Sequence, residues 1–288
     1  MKPKAEAGTY ATMAIGLTLL VACAGTVAPA QPESDTPMAG ATAQAPAATP
    51  RPGGFFAAGT APDAAATIPP APKEGEARNT LDWEIFRKTR ALEGTDRWAL
   101  AQADNSYRPD YLLSAFSCSV GVTLTPENSP TLMSILSRTT MDAGLAAQGA
   151  KEFYRRTRPF LHNEGDICID RTDGLSASFD YPSGHASLGW MSGLVIAQLA
   201  PDRASQILAR GRAYGESRVV CGVHNMSAVE AGRTNAAGVY AALQGTPAFL
   251  ELMATARHEM DAARASGAAP DAAACAREAD LVKPLVVD

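Results

Sequence analysis

An all-α domain, a single helical bundle, is what the sequence predicts for residues 79–288. Apolar residues recur at helical spacing through most of that span. Prolines and small polar residues stand where such runs begin, and no alternating β-branched run of any length appears. The span is long enough for one sizeable core.

The elements follow in order. In LDWEIFRKTRALEGTDRWALAQAD (81–104), Trp83, Phe86, Leu92, Trp98 and Leu100 mark two helices broken at Gly94. The longest predicted helix lies in SPTLMSILSRTTMDAGLAAQGAKEFYRRTRPF (129–160). Leu132, Ile135, Leu136, Met141, Leu145 and Ala146 fall near one face of it. Asn128 or Ser129 is its expected cap, and Pro130 suits its first turn. It should end at Arg158, because Pro159 disfavours helix in the residue before it. A loop rich in Gly and Asp (163–184) leads to HASLGWMSGLVIAQLA (185–200), which is apolar nearly all round. That run is short and flanked by charged chain, so it reads as a central buried helix rather than a membrane span. Pro201 and Asp202 open a helix over DRASQILARGRAYGESRVV, another covers AVEAGRTNAAGVYAALQ, and a last runs from Pro247 to about Ala265.

Ahead of the domain, Lys2 and Lys4 precede TMAIGLTLLVACAG, the pattern of a secretory leader over residues 1–22. Leu20-Val21-Ala22-Cys23 resembles a bacterial lipobox, in which the cysteine is lipidated and becomes the first residue. Ordinary cleavage after Ala28-Pro29-Ala30 is the alternative. Residues 23–78 are dominated by Ala, Pro, Thr and Gly. Such a segment buries too little apolar surface to offset its ordering entropy, and it reads as a disordered tether. Phe55 and Phe56 in it either dock or stay mobile. In an oxidising compartment Cys118, Cys168, Cys221 and Cys275 allow two disulfides, with the pairing left open. The net charge of −5 argues against a nucleic-acid-binding surface.

Three segments carry candidate chemistry. Lys151 and Arg158 are seven apart, almost two helical turns, so on one helix they share a face, with Arg155 between them. In YPSGHAS (181–187), Gly184 lets backbone approach a ligand closely and Ser183 adds a hydroxyl. His185 then opens the apolar helix, where free N–H groups favour an anion. SRVVCGVH (217–224) adds Arg218 and His224. Together these residues make a donor nest for a tetrahedral dianion. Two histidines can divide attack on phosphorus from protonation of the leaving oxygen. The cations supply the charge a metal supplies elsewhere, and the four histidines lack ligand spacing, so neither metal nor other cofactor is expected.

Lys151…Arg158-Pro159, then PSGH at 182–185, then Ser217-Arg218…His224 resemble the three-part signature of the PAP2 (type 2 phosphatidic acid phosphatase) superfamily. The wording MDAGLAAQGAKEFYRRTRPF and YPSGHASLGW is most similar to bacterial class A non-specific acid phosphatases. The resemblance spans residues 80 to 262 and implies the all-helical fold shared with vanadium haloperoxidases. It implies His224 as the nucleophile that forms a phosphohistidine and His185 as the general acid. Lys151, Arg158, Ser183, Gly184 and Arg218 would hold the phosphate.

One position departs from the family pattern. The motif places an aspartate four residues after the nucleophilic histidine, where it orients the ring, and Ala228 stands there. Glu230 is the nearest acid and the expected replacement, although a regular helix turns it about 120° away from His224. Asp142, Asp166, Asp170 and Asp173 are further candidates. The resulting expectation is an exported or lipid-anchored acid phosphatase acting on phosphate monoesters of broad range. The alternatives are a weakened or inactive phosphate-binding homologue, a lipid phosphatase, and a vanadate-dependent haloperoxidase-like activity.

Overall fold

The computed structural model describes residues 53–57 and 59–285, and their regular structure is helical. The leader, Cys23 and the first part of the expected tether lie outside the described residues. No described helix is long and apolar enough to cross a membrane.

The tether expectation is corrected from residue 53 onward. Asp142 accepts from the backbone N–H groups of Phe55 (2.8 Å) and Phe56 (3.2 Å). Arg138 lies over the Phe55 ring at 3.7 Å, and that ring meets Phe249 edge-on. Downstream, Ala64 in the short helix α1 (Ala64–Thr67), Ile68 and Pro72 are buried. A composition too apolar-poor to fold alone can still pack where a finished helical surface receives it. The same contacts take Asp142 out of the set of acids available to His224.

Helices α2 (Ala77–Thr89) and α3 (Asp96–Ala103) form as expected, with Gly94 in the left-handed region between them. Helix α4 (Pro109–Val120) was not foreseen. Helix α5 (Pro130–Tyr154) starts at Pro130 with Ser129 in the N-cap position, but the Ser129 side chain makes no capping bond. The Glu259 carboxylate of α10 (Pro247–Ala265) caps the helix from outside, accepting from Thr131 N at 3.0 Å. The helix also ends early. Arg155 turns left-handed (φ 46°) and closes on the Lys151 carbonyl, so the chain leaves the helix before Arg158.

Helix α7 (Gly184–Leu199) is the central helix expected, packed against α5, α8 (Ala204–Val220) and α9 (Met226–Leu243). Leu188, Met191, Val195 and Ile196 on it are buried. A Cβ on Gly211 would sit 2.8 Å from the Gly189 carbonyl, so glycine sets how closely α7 and α8 cross. A short helix α6 (Asp173–Ala177) lies in the Gly/Asp-rich loop, and α11 (Ala272–Leu281), also unforeseen, closes the order.

The cysteines pair as Cys118–Cys275, joining α4 to α11, and Cys168–Cys221, joining that loop to the end of α8. Inside the bundle Arg210 is buried against Asp104, with its Nη2 2.6 Å from Oδ1. Tyr111 and Ser217 donate to the same carboxylate. A buried charge pair is tolerated when its remaining lone pairs are satisfied, and here they anchor the loop that follows α3.

Candidate active site

The three motif segments meet at a cavity of about 620 Å³ whose wall includes Arg158, His185, Arg218 and His224. A larger hollow of about 730 Å³ under α11 is lined by Cys118, Ala209 and Cys275 and carries no histidine.

The second motif is held by its own capping. Ser183 is the N-cap of α7, its hydroxyl accepting from Ala186 N at 3.3 Å. Its own N–H donates to the Ala228 carbonyl at 2.9 Å, tying the turn to α9. A Cβ on Gly232 would stand 2.4 Å from the Ser183 carbonyl, so α9 approaches this turn only through glycine. Gly184 is the first residue of α7, and a Cβ there would meet the Tyr107 hydroxyl at 3.7 Å.

His224 is buried, and its two ring nitrogens have different partners. Nδ1 lies 2.9 Å from Asp180 Oδ1, and Nε2 lies 3.0 Å from Arg158 Nη1. Arginine only donates, so Nε2 is the unprotonated nitrogen and Nδ1–H donates to Asp180. Burial, then the charges of Arg158, Lys151 and Arg218, holds the ring's pKa well below 6.5. The neutral ring therefore keeps a lone pair on Nε2, the form a nucleophile needs.

Asp180 was missed by sequence reasoning. It is fully buried, and Asn225 donates to it from its backbone N–H (3.1 Å) and from Nδ2 (2.8 Å). Arg156 reaches it at 3.4 Å. Burial raises its carboxyl above the ordinary value, and Arg156 and Asn225 offset this only in part. The signal was present, since Asp180 stands two residues before PSGH, but spacing does not show that the turn lays it beside His224.

Glu230 is corrected. Its side chain is exposed on α9, as helical geometry required. Asp166, Asp170 and Asp173 are exposed as well, and among them Asp170 borders the cavity. Ala228 is buried among Ala64, Ile68, Ala150 and Tyr181, an apolar pocket closed by the N-terminal segment. The family's usual acid position is thus filled by core, and an acid reaches the same histidine from the turn that precedes PSGH.

The cations do not share one helix face. Arg158 lies beyond α5 in extended backbone, with Nη1 on the Val223 carbonyl (2.7 Å) and Nε on Ser178 Oγ (3.0 Å). Arg155 is exposed. Lys151, on the last turn of α5, donates to the Phe179 carbonyl at 2.7 Å. Burial and Arg158 lower its pKa to about 8. Arg218 is 1 % exposed, and its Nε and Nη1 have no hydrogen-bond partner. Burial lowers its pKa to about 10. Buried, unpaired guanidinium donors at a cavity wall are costly unless an anion completes them.

His185 faces the same cavity, with Nε2 3.1 Å from the Asn105 carbonyl and Nδ1 2.7 Å from the Tyr107 hydroxyl. Burial and then Arg218 push its pKa well below 6.5. Among the described residues no three His, Cys, Asp or Glu side chains gather as metal ligands.

Comparison with known proteins finds both a family and similar enzymes. The family model of the PAP2 superfamily matches residues 131–245. An acid phosphatase of Zymomonas mobilis is 37% identical over 72% of this chain and 79% of its own length. Non-specific acid phosphatases of Providencia stuartii and Salmonella typhimurium are 36% and 35% identical, over 68% and 67% of this chain and 80% and 78% of their own. Its helical bundle, its three converging motifs and these relatives make this chain a member of the PAP2 superfamily, homologous to the bacterial non-specific acid phosphatases.

Proposed function

We propose that the chain is an acid phosphatase that hydrolyses phosphate monoesters of broad range through a phosphohistidine on His224. The observation that carries this reading is the state of His224: Nδ1–H held by Asp180 and an unprotonated Nε2 at a cavity wall shared with the unpaired donors of Arg218.

In the proposed reaction the phosphate oxygens complete Arg218, Arg158 and the N–H groups at the start of α7, with Lys151 adding positive potential. Nε2 attacks phosphorus, the P–N bond forms as the P–O bond to the leaving group breaks, and the leaving oxygen takes a proton supplied by His185. Water then cleaves the P–N bond and returns phosphate. Asp180 stabilises the imidazolium side of this cycle, as a buried carboxylate does for a catalytic histidine elsewhere. Its presence favours full turnover over the weakened phosphate-binding homologue that Ala228 had suggested. Asp180 and Asn225 together hold the ring in one tautomer.

The substrate class is supported by the relatives, which are named acid phosphatases and non-specific acid phosphatases. The leader over residues 1–22 and the lipobox-like Cys23 support export, with a lipid anchor on that cysteine. Purified protein should hydrolyse p-nitrophenyl phosphate at acid pH, and acid-unstable, base-stable label from a radioactive substrate should appear on wild type but not on His224→Ala. Saturable phosphate binding without hydrolysis from pH 4 to 8 would leave only a binding protein. Palmitate label that remained on Cys23→Ala would remove the anchor.

A further inference from the structure

The environment of His185 is at odds with direct proton delivery. Its Nε2 faces the Asn105 carbonyl, which only accepts, so Nε2 carries a hydrogen and points it into the backbone. In the neutral ring Nδ1 therefore has no proton and accepts from Tyr107, so the proton available to a leaving group is the one Nδ1 gains when the ring becomes imidazolium at acid pH. That nitrogen is already taken by the Tyr107 hydroxyl at 2.7 Å.

Tyr107 is not placed there by accident of a loose loop. Asp104, just before it, is gripped by Arg210, Tyr111 and Ser217, and the Tyr214 hydroxyl donates to the Ser106 carbonyl. The Tyr107 ring lies against the His185 ring with centroids 3.9 Å apart. It borders the cavity together with Arg158, Arg218 and His224, so the cavity exists with the phenol in place. The tyrosine is 52% exposed while its hydroxyl contacts the buried His185. A phenol both accepts and donates, which a carbonyl cannot do. Desolvation around its hydroxyl raises its pKa against the pull of Arg218 and Arg158, so it remains a protonated donor.

We propose, resting on the phosphatase reading above, that Tyr107 is the catalytic residue that hands the proton to the leaving group, with His185 behind it as the proton source. As the P–O bond breaks, its electron pair stays on the leaving oxygen, which takes the Tyr107 O–H proton. The phenolic oxygen takes the proton from His185 Nδ1 in the same step. The products are the neutral alcohol, phosphorylated His224, an unchanged Tyr107 and neutral His185.

The test is leaving-group dependence in Tyr107→Phe, which keeps the ring and removes only the hydroxyl. General acid catalysis is worth about 10²–10⁴-fold where the leaving group needs a proton. For an alkyl phosphate such as glycerol phosphate, kcat/KM should fall by about 100-fold or more. For p-nitrophenyl phosphate, whose leaving phenolate is stable unprotonated, it should stay within a few-fold. Inorganic phosphate should inhibit wild type and variant equally, which shows that the variant's site is folded. Equal losses on both esters, or a change in KM alone, would overturn the relay and leave Tyr107 a gate that substrate displaces. Wild-type protein that hydrolysed neither ester would overturn the phosphatase reading itself.

Discussion

Asp180 Oδ1 lies 2.9 Å from His224 Nδ1, although the two residues are 44 apart in the chain and Asp180 stands just outside the PSGH motif. This contact gives Ala228 a new meaning. Four residues beyond His224 the helix offers a methyl group to an apolar cluster, and the orienting carboxylate comes from the turn before PSGH instead.

Replacing that carboxylate should be costly. Asp180→Asn keeps the size of the side chain but removes the charge and turns one acceptor into a donor facing the His224 and Asn225 donors. By analogy with the serine protease triad, kcat is expected to fall by about 10³–10⁴-fold. Glu230→Gln should leave it unchanged. Steady-state kinetics on p-nitrophenyl phosphate compares the two directly.

Restoring an aspartate at position 228 should not help. Ala228→Asp puts a carboxylate among Ala64, Ile68, Ala150 and Tyr181, behind a site that already holds Asp180. An uncompensated buried charge costs on the order of 3 kcal/mol, so thermal unfolding should move down by several degrees with no gain in turnover. A rise in kcat would show that Asp180 serves the ring poorly.

Arg218 should matter more for binding than for fold. Its Nε and Nη1 lack protein partners, so Arg218→Ala removes donors that only the anion uses. A loss of about 10²–10³-fold in kcat/KM is expected, with phosphate inhibition weakened in parallel. An unchanged inhibition constant would place the anion elsewhere.

The pH dependence follows from signs. The folded pKa values of His185 and His224 lie well below 6.5, their value when unfolded, because burial and the surrounding arginines oppose charge. Between those values the unfolded chain binds more protons, so stability is full above about pH 6.5 and falls as pH drops below it. Added phosphate should blunt that fall, since an anion favours both imidazolium forms. On the alkaline side, Lys151 loses its charge as pH rises through about 8, and phosphate inhibition should weaken there. Lys151→Arg should move that break upward. Thermal melts and inhibition constants from pH 4 to 9 check both limbs.

The two disulfides should separate stability from activity. Cys168–Cys221 ties the loop that leads to Asp180 to the end of α8, three residues after Arg218. Cys118–Cys275 holds α11, away from the cavity. Serine at either pair should cost about 2–5 kcal/mol. Loss of the first should also raise KM for p-nitrophenyl phosphate, while loss of the second should leave KM unchanged.

Much of this protein is legible in its sequence alone. Helical spacing, Pro130 and Pro247 at helix starts, and the order Lys151–Arg158, Ser183–His185, Arg218–His224 depend only on near neighbours, so the fold class and the phosphate-gathering residues could be read directly. Other features needed partners brought from far along the chain. The early end of α5 at Tyr154, the Glu259 cap, the docking of Phe55 on α5 and the disulfide pairing are decided by which surfaces meet. The same holds for the chemistry. By itself the sequence pointed to two histidines and three cations as one candidate anion site, and of those cations Arg158 and Arg218 border the cavity. Only the tertiary structure decided that Asp180 steadies His224 and that Tyr107 stands on His185, because a turn's path through space is set by packing against other elements and not by residue spacing.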